Sequence, residues 1–192
     1  MAGFKSDIDA ALLTDEPLQK EKVLVWINAT SDLPTLAKLY RLHGEGYYRI
    51  QPELGGDASC SLIQRYLLEC IRQNVIQDVD IADENEIQDR WEAARTLHGW
   101  LCQLAEMNDS SAQIGRAASA ITELYLTTGE DVQLAIEQGF LEHALEMAAL
   151  RPYFEHWSSD DRLRPAWERS LEWGLAHPNF IWGMLQGLKG LK

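Results

Sequence analysis

Residues 84–150 read ENEIQDRWEAARTLHGWLCQLAEMNDSSAQIGRAASAITELYLTTGEDVQLAIEQGFLEHALEMAAL. Apolar residues recur here with a period near 3.6, which is the spacing that puts them on one side of an α-helix. Ile87, Trp91, Ala94, Leu97, His98, Leu101, Leu104 and Ala105 mark one face of a helix over Glu84 to Met107. Asn108 and Asp109 end it, and Ser110 or Ser111 caps the next. That second helix, to about Thr128, places Ile114, Ala117, Ala118, Ile121, Leu124 and Tyr125 inward. Gly129 then occupies the position of a left-handed C-cap. A third helix, Glu130 to Leu150, carries Val132, Leu134, Ala135, Ile136, Phe140, Leu141, Ala144, Leu145 and Ala148. Gly139 inside it costs about 1 kcal/mol relative to alanine, which predicts a bend or a close helix contact there. Three consecutive helices joined by short loops predict an all-α, single-domain irregular helical bundle over 1–192, with short HEAT-like stacking as the variant form.

The same reading extends to both sides. Asp15 to Ile27 is expected to be helical, because no second strand exists to pair with the apolar run Val23–Ile27. A helix capped by Ser31 or Asp32 runs to Gly44, with Pro34 in its first turn. Gly44, Gly46, Pro52, Gly55 and Gly56 make 44–57 a loop that carries Tyr47 and Tyr48. Ala58 to Val75 reads as a strong helix with Arg65 and Arg72 facing away from its apolar side. Arg151-Pro152 stops the helix before it, and an aromatic tail follows: Tyr153, Phe154, Trp157, Trp167, Trp173, Phe180 and Trp182. Asp160 to Ala176, and a last short helix opened by Pro178, complete the chain.

Charge sets the class of partner. Thirty acids against seventeen bases give a formal charge of -13. Nucleic acids and anionic membranes repel such a chain unless it has a compact basic patch, and the sequence has none. No nucleic-acid or membrane partner is therefore expected. The densest acidic block is Asp78, Asp80, Asp83, Glu84, Glu86, Asp89 and Glu92, opposed only by Arg90. Two or three acids suffice to complement a helix N-terminus. The excess predicts a solvated connector or a docking surface for a basic protein. A calcium loop is not expected: 78–83 lacks the required glycine and puts apolar residues between the acids. Tyr47, Tyr48 and Trp157 are the candidate aromatic anchors of the same surface.

Catalytic motifs are absent. There is no GxGxxG, no GxxxxGK[ST], no GxSxG and no HExxH. Glu142, His143 and Glu146 form the nearest metal-like cluster, but the Glu-x-x-His spacing of di-metal bundles fails at all five histidines. A solvated charged face is the expected role of that cluster. His156 with Asp160 and Asp161 reads as a turn in which Asp160 caps the following helix. His98, on an apolar face, reads as a core histidine. Cys60, Cys70 and Cys102 lack CxxC spacing and predict free, mostly buried thiols in a reducing compartment. The amino-terminal residues 1–14 carry Lys5, Asp7 and Asp9 and read as no signal peptide. The chain is thus expected to be a cytoplasmic non-enzyme with neither cofactor nor metal.

The stretch Ile121 to Glu146 resembles a segment of all-α bacterial proteins in which a helix ends at a small acidic turn before a GFLE helix. Its matching residues are Gly129, Glu130, Asp131, Ile136, Glu137, Gly139, Phe140, Leu141 and Glu142. Such proteins resemble immunity proteins carried beside polymorphic toxins, or HEAT-like adaptor domains. The resemblance implies an all-helical fold and protein binding, and supplies no catalytic residue. The expected function is neutralisation of a cognate basic toxin domain by direct occlusion. A helical scaffold joining two proteins is the alternative, and a metal-dependent enzyme using Glu142, Glu146 and His156 the second.

Overall fold

A computed structural model describes residues 3–14, 18–44, 56–74, 87–107 and 109–177. The protein is all-α, with no β-strand among the described residues. Packing divides the chain into two units, Met1–Asp89 and Arg90–Lys192. Tyr47, Tyr48, Asp78, Asp80, Asp83, Glu84 and Glu86 lie outside the described residues, as do Phe180 and Trp182.

The first unit contains α1 (Gly3–Leu12), α2 (Lys20–Ala29), α3 (Leu33–Gly44) and α4 (Asp57–Gln73). The run Val23–Ile27 is helical. Val23, Trp26 and Ile27 are buried while Val25 is exposed, the i, i+3, i+4 pattern of one helix face. Asp32 caps α3: its carboxylate accepts from the Thr35 amide (3.2 Å) and hydroxyl (2.7 Å). Partial burial alone would raise its pKa, but the Thr35 and Lys5 contacts outweigh that and hold it below its usual value. Arg65 departs from the expected outward orientation. It is half-buried and donates to the Ile27 (2.8 Å) and Thr30 carbonyls, closing the C-terminal end of α2. A cation there satisfies exposed carbonyls and meets the negative end of the helix dipole. Helix α1, missed in the sequence, packs on α3 and buries Ile8 and Ala11.

The second unit contains α5 (Arg90–Glu106), α6 (Ser111–Thr127), α7 (Glu130–Ile136), a π-helical turn (Glu137–Leu141) and α8 (Glu142–Glu146). These are followed by α9 (Arg151–Phe154), a 3₁₀ turn (Glu155–Ser159) and α10 (Arg164–Ala176). All six apolar residues assigned to the inner face of α6 are buried. Gly129 is a correction: at φ -83°, ψ 176° it is extended and precedes α7, not a left-handed cap. Side chains do the capping instead. Thr128 Oγ1 donates to the Leu124 carbonyl (2.6 Å), and the Gln133 amide donates to the carbonyls of Tyr125 (2.9 Å) and Thr128 (3.1 Å). With those carbonyls satisfied, no left-handed turn is needed.

The predicted helix over 130–150 is interrupted twice. One extra residue is accommodated in the π turn at 137–141, where Gly139 sits. A Cβ on Gly139 would stand 2.9 Å from Ala94 Cβ, so α5 approaches this turn too closely for a side chain to be added without a shift. Met147 is extended (φ -90°, ψ 115°) and ends α8, and the Arg151 guanidinium donates to the Leu145 carbonyl at 2.6 Å. Helix α10 lies against α8 at Gly174.

Candidate functional site

The aromatic tail supplies core. Phe154 and Trp157 are fully buried and Trp167 nearly so. The Trp157 ring lies 4.9 Å from Tyr125 and 6.2 Å from Phe154, and its indole N–H donates to Thr122 Oγ1 at 2.8 Å. Trp157 is therefore corrected from partner anchor to interior residue: its ring is packed and its polar atom used. Asp89 and Glu92 are the members of the acidic block that are described, and both are exposed. Helix α5 begins at Arg90, so Glu92 is the acid in its first turn.

Burial brings together a set of polar groups that the sequence presented as separate. Helix α5 contributes His98 and Cys102, one turn apart, both buried. Helix α8 contributes His143 and Glu146, and α10 contributes Trp173 with His177 just beyond it. Glu146 is 3% exposed, so the expected solvated face is another correction. His143 Nδ1 donates to Glu146 Oε1 at 2.8 Å, which satisfies the buried carboxylate. The His143 ring stands edge-on to Trp173 (4.9 Å) and 5.8 Å from His98, and His177 stacks on Trp173 at 4.3 Å.

The electrostatics of this seam favour neutral groups. Burial, then repulsion from His143, pushes His98 down to about 4. Burial, then Glu106 and Glu146, pushes the Cys102 thiol up to about 12. His98 Nε2 lies 3.1 Å from Cys102 Sγ, yet the shifts run opposite to those of a thiolate–imidazolium pair. An activated cysteine needs a depressed pKa and access to substrate. Cys102 has neither.

A second network lies beside it. Glu137, buried, accepts from Tyr125 Oη at 2.6 Å and from Arg169 at 2.7 and 3.2 Å. Burial raises the pKa of Glu142. His156 pairs with Thr122 Oγ1 (3.2 Å), so Glu142, Glu146 and His156 do not converge. Among the described residues no group of three or more His, Cys, Asp and Glu could hold a metal ion. No described helix is long and apolar enough to cross a membrane.

The outer surface of the second unit is acidic. Between 90 and 177 the chain has fourteen acids and seven bases, and ten of the acids are exposed. Five arginines are exposed, and Arg162, Arg164 and Arg169 pair with Asp160, Asp161 and Glu137. No protein-family model, curated protein or solved structure matches the chain.

Proposed function

We propose that this chain is an immunity-type binding protein, acting in the cytoplasm, that neutralises a cognate basic toxin domain by direct occlusion. The observation that carries the reading is the outward acidic excess. Ten exposed carboxylates on the second unit, Glu92 of the 78–92 block among them, belong to a whole-chain charge of -13. A field of that sign speeds encounter with a basic protein and repels nucleic acid and anionic lipid. In this reading the carboxylates steer association and stand in for the toxin's anionic substrate. The polar groups of the seam and of the network beside it support it: His143 bonds Glu146, Glu137 bonds Tyr125 and Arg169, and Cys102 is not activated.

The test begins with affinity purification at low salt and mass spectrometry of what co-elutes. A single stoichiometric basic partner, released as salt rises, is the expected result. Several partners would favour the adaptor, and a protein that emerges alone would overturn both binding readings. With the partner in hand, Asp80, Asp83, Glu84 and Glu86 are changed together to their amides. The association rate should fall about tenfold at low salt and lose most of its salt dependence. An unchanged rate would remove the block from the mechanism.

A further inference from the structure

We propose that Cys102 Sγ, Met147 Sδ and His98 Nε2 form a site for one soft monovalent metal ion of the Cu(I) class. Cys102 Sγ lies 2.9 Å from Met147 Sδ and 3.1 Å from His98 Nε2. A thioether and an imidazole thus both stand against one buried thiol, and that is the donor set that selects Cu(I) over harder ions.

The fold presents the donors from two elements. His98 and Cys102 sit at i and i+4 on α5, so they share a face. Met147 is the extended residue that ends α8, which turns its side chain out of the helical series. A hydrogen bond from the His98 imidazole to the backbone of His143 orients the ring, the outer-shell support that metal-bound histidines usually have. Two donors at metal–ligand bonds of about 2.0–2.3 Å stand roughly 3–4 Å apart. Loading therefore needs the donors to separate by less than about 1 Å, and an unbranched methionine is the side chain best able to give that. Met147 is half-buried and followed by exposed Ala148 and Ala149, which puts the way in on that side.

Charge chooses among metals. The ion enters as M⁺ and displaces the thiol proton to solvent, giving a thiolate–M⁺ pair with two neutral ligands and no change of oxidation state. That assembly carries no net charge and suits a dry interior. A divalent ion would add one positive charge to that set. No third His, Cys, Asp or Glu among the described residues joins His98 and Cys102 as a ligand, and the Glu106 and Glu146 carboxylates act on Cys102 only from outside the donor set.

The test uses the full chain, reduced and anaerobic, titrated with Cu(I) against bicinchoninate as competitor. In a C60S/C70S background one equivalent should bind. Adding Cys102→Ser should abolish it, and Met147→Leu should weaken it at least tenfold with an unchanged circular dichroism spectrum. X-ray absorption should show two sulfurs and one nitrogen around the ion, and Zn(II) should not compete. Where C60S/C70S does not fold, the same two substitutions are read in the native cysteine background as loss or weakening of one equivalent. Equal Cu(I) affinity in the Met147→Leu protein, no bound equivalent assigned to Cys102, or Zn(II) binding as tight as Cu(I) would each overturn the site.

Discussion

Alanine placed at four helical glycines measures how closely these helices approach. In mid-helix the substitution gains about 1 kcal/mol of helix propensity, largely by restricting the unfolded chain. At Gly99 in α5 and Gly115 in α6 a new Cβ meets nothing within 4 Å. The gain should stand there, stabilising each variant by about 0.5–1 kcal/mol. At Gly174 the Cβ would lie 2.8 Å from the Leu145 carbonyl carbon, 2.9 Å from the Glu146 nitrogen and 3.0 Å from the Leu145 oxygen. These are backbone atoms and no rotamer change relieves them, so α10 must lift off α8. Overpacking costs about 1–3 kcal/mol, and contacts this rigid belong at the upper end. Set against the propensity gain, Gly174→Ala should lose about 2 kcal/mol. Gly139→Ala meets one hard contact, Ala94 Cβ at 2.9 Å, and the edge of Trp91 at 3.4 Å. It should fall between, losing about 1 kcal/mol. Urea unfolding followed by far-UV circular dichroism gives the four values, read at constant m. A Gly174→Ala protein as stable as Gly115→Ala would refute the α8–α10 contact.

Two further outcomes follow from the buried groups. His98 titrates near 4 when folded against 6.5 when unfolded, so between those values the unfolded chain binds the extra proton. Stability should therefore be whole above pH 6.5 and fall by about 3 kcal/mol as pH drops to 4, and His98→Gln should flatten that limb in urea titrations at stepped pH. Trp157→Phe removes the N–H donated to Thr122 and leaves a void beside Tyr125 and Phe154. It should cost about 1–3 kcal/mol without altering affinity for the captured partner, which calorimetry and binding rates check separately.

Periodicity was most informative where a helix keeps one phase. The inner face of α6 was legible residue by residue, because an unbroken 17-residue helix repeats its pattern nearly five times. The helix after it was legible only in part. Gly139 signalled a close contact, but nothing in a one-dimensional pattern distinguishes a π turn from a bend. Phe140, Leu141, Ala144 and Leu145 are nevertheless buried as their spacing predicts. Glu146 was expected in solvent because glutamates usually are, and it lies inside because His143 bonds its carboxylate, a pairing that composition does not show. Helix α1 was missed because its buried residues, Ile8 and Ala11, are few and small beside the charges around them. Arg65 was misplaced because its targets, the Ile27 and Thr30 carbonyls, are more than thirty residues away. His98 was read as a core histidine. Its sulfur and imidazole neighbours come from tertiary packing, which spacing does not encode, except for Cys102 one turn on.

The interior and the surface of the second unit obey opposite electrostatic rules, and this bears on function. Inside, desolvation drives the titratable groups toward neutral or mutually satisfied states. His98 and Cys102 are held uncharged, and Glu137 is matched to Tyr125 and Arg169. A network bonded this fully gives a packed core its specificity, and a substrate would have to break those bonds to use it. Outside, ten carboxylates face five arginines, and Arg162, Arg164 and Arg169 bond Asp160, Asp161 and Glu137. That excess is self-repulsive and works against folding. Helix capping explains only part of it: Glu92, Glu130 and Asp131 sit in first turns, while Glu106, Glu123, Glu168 and Glu172 lie beyond the first turn of their helices, where the N-terminal dipole gives them little. A surface charge with no local structural cause is the feature that a basic partner would turn from a cost into a gain in association rate.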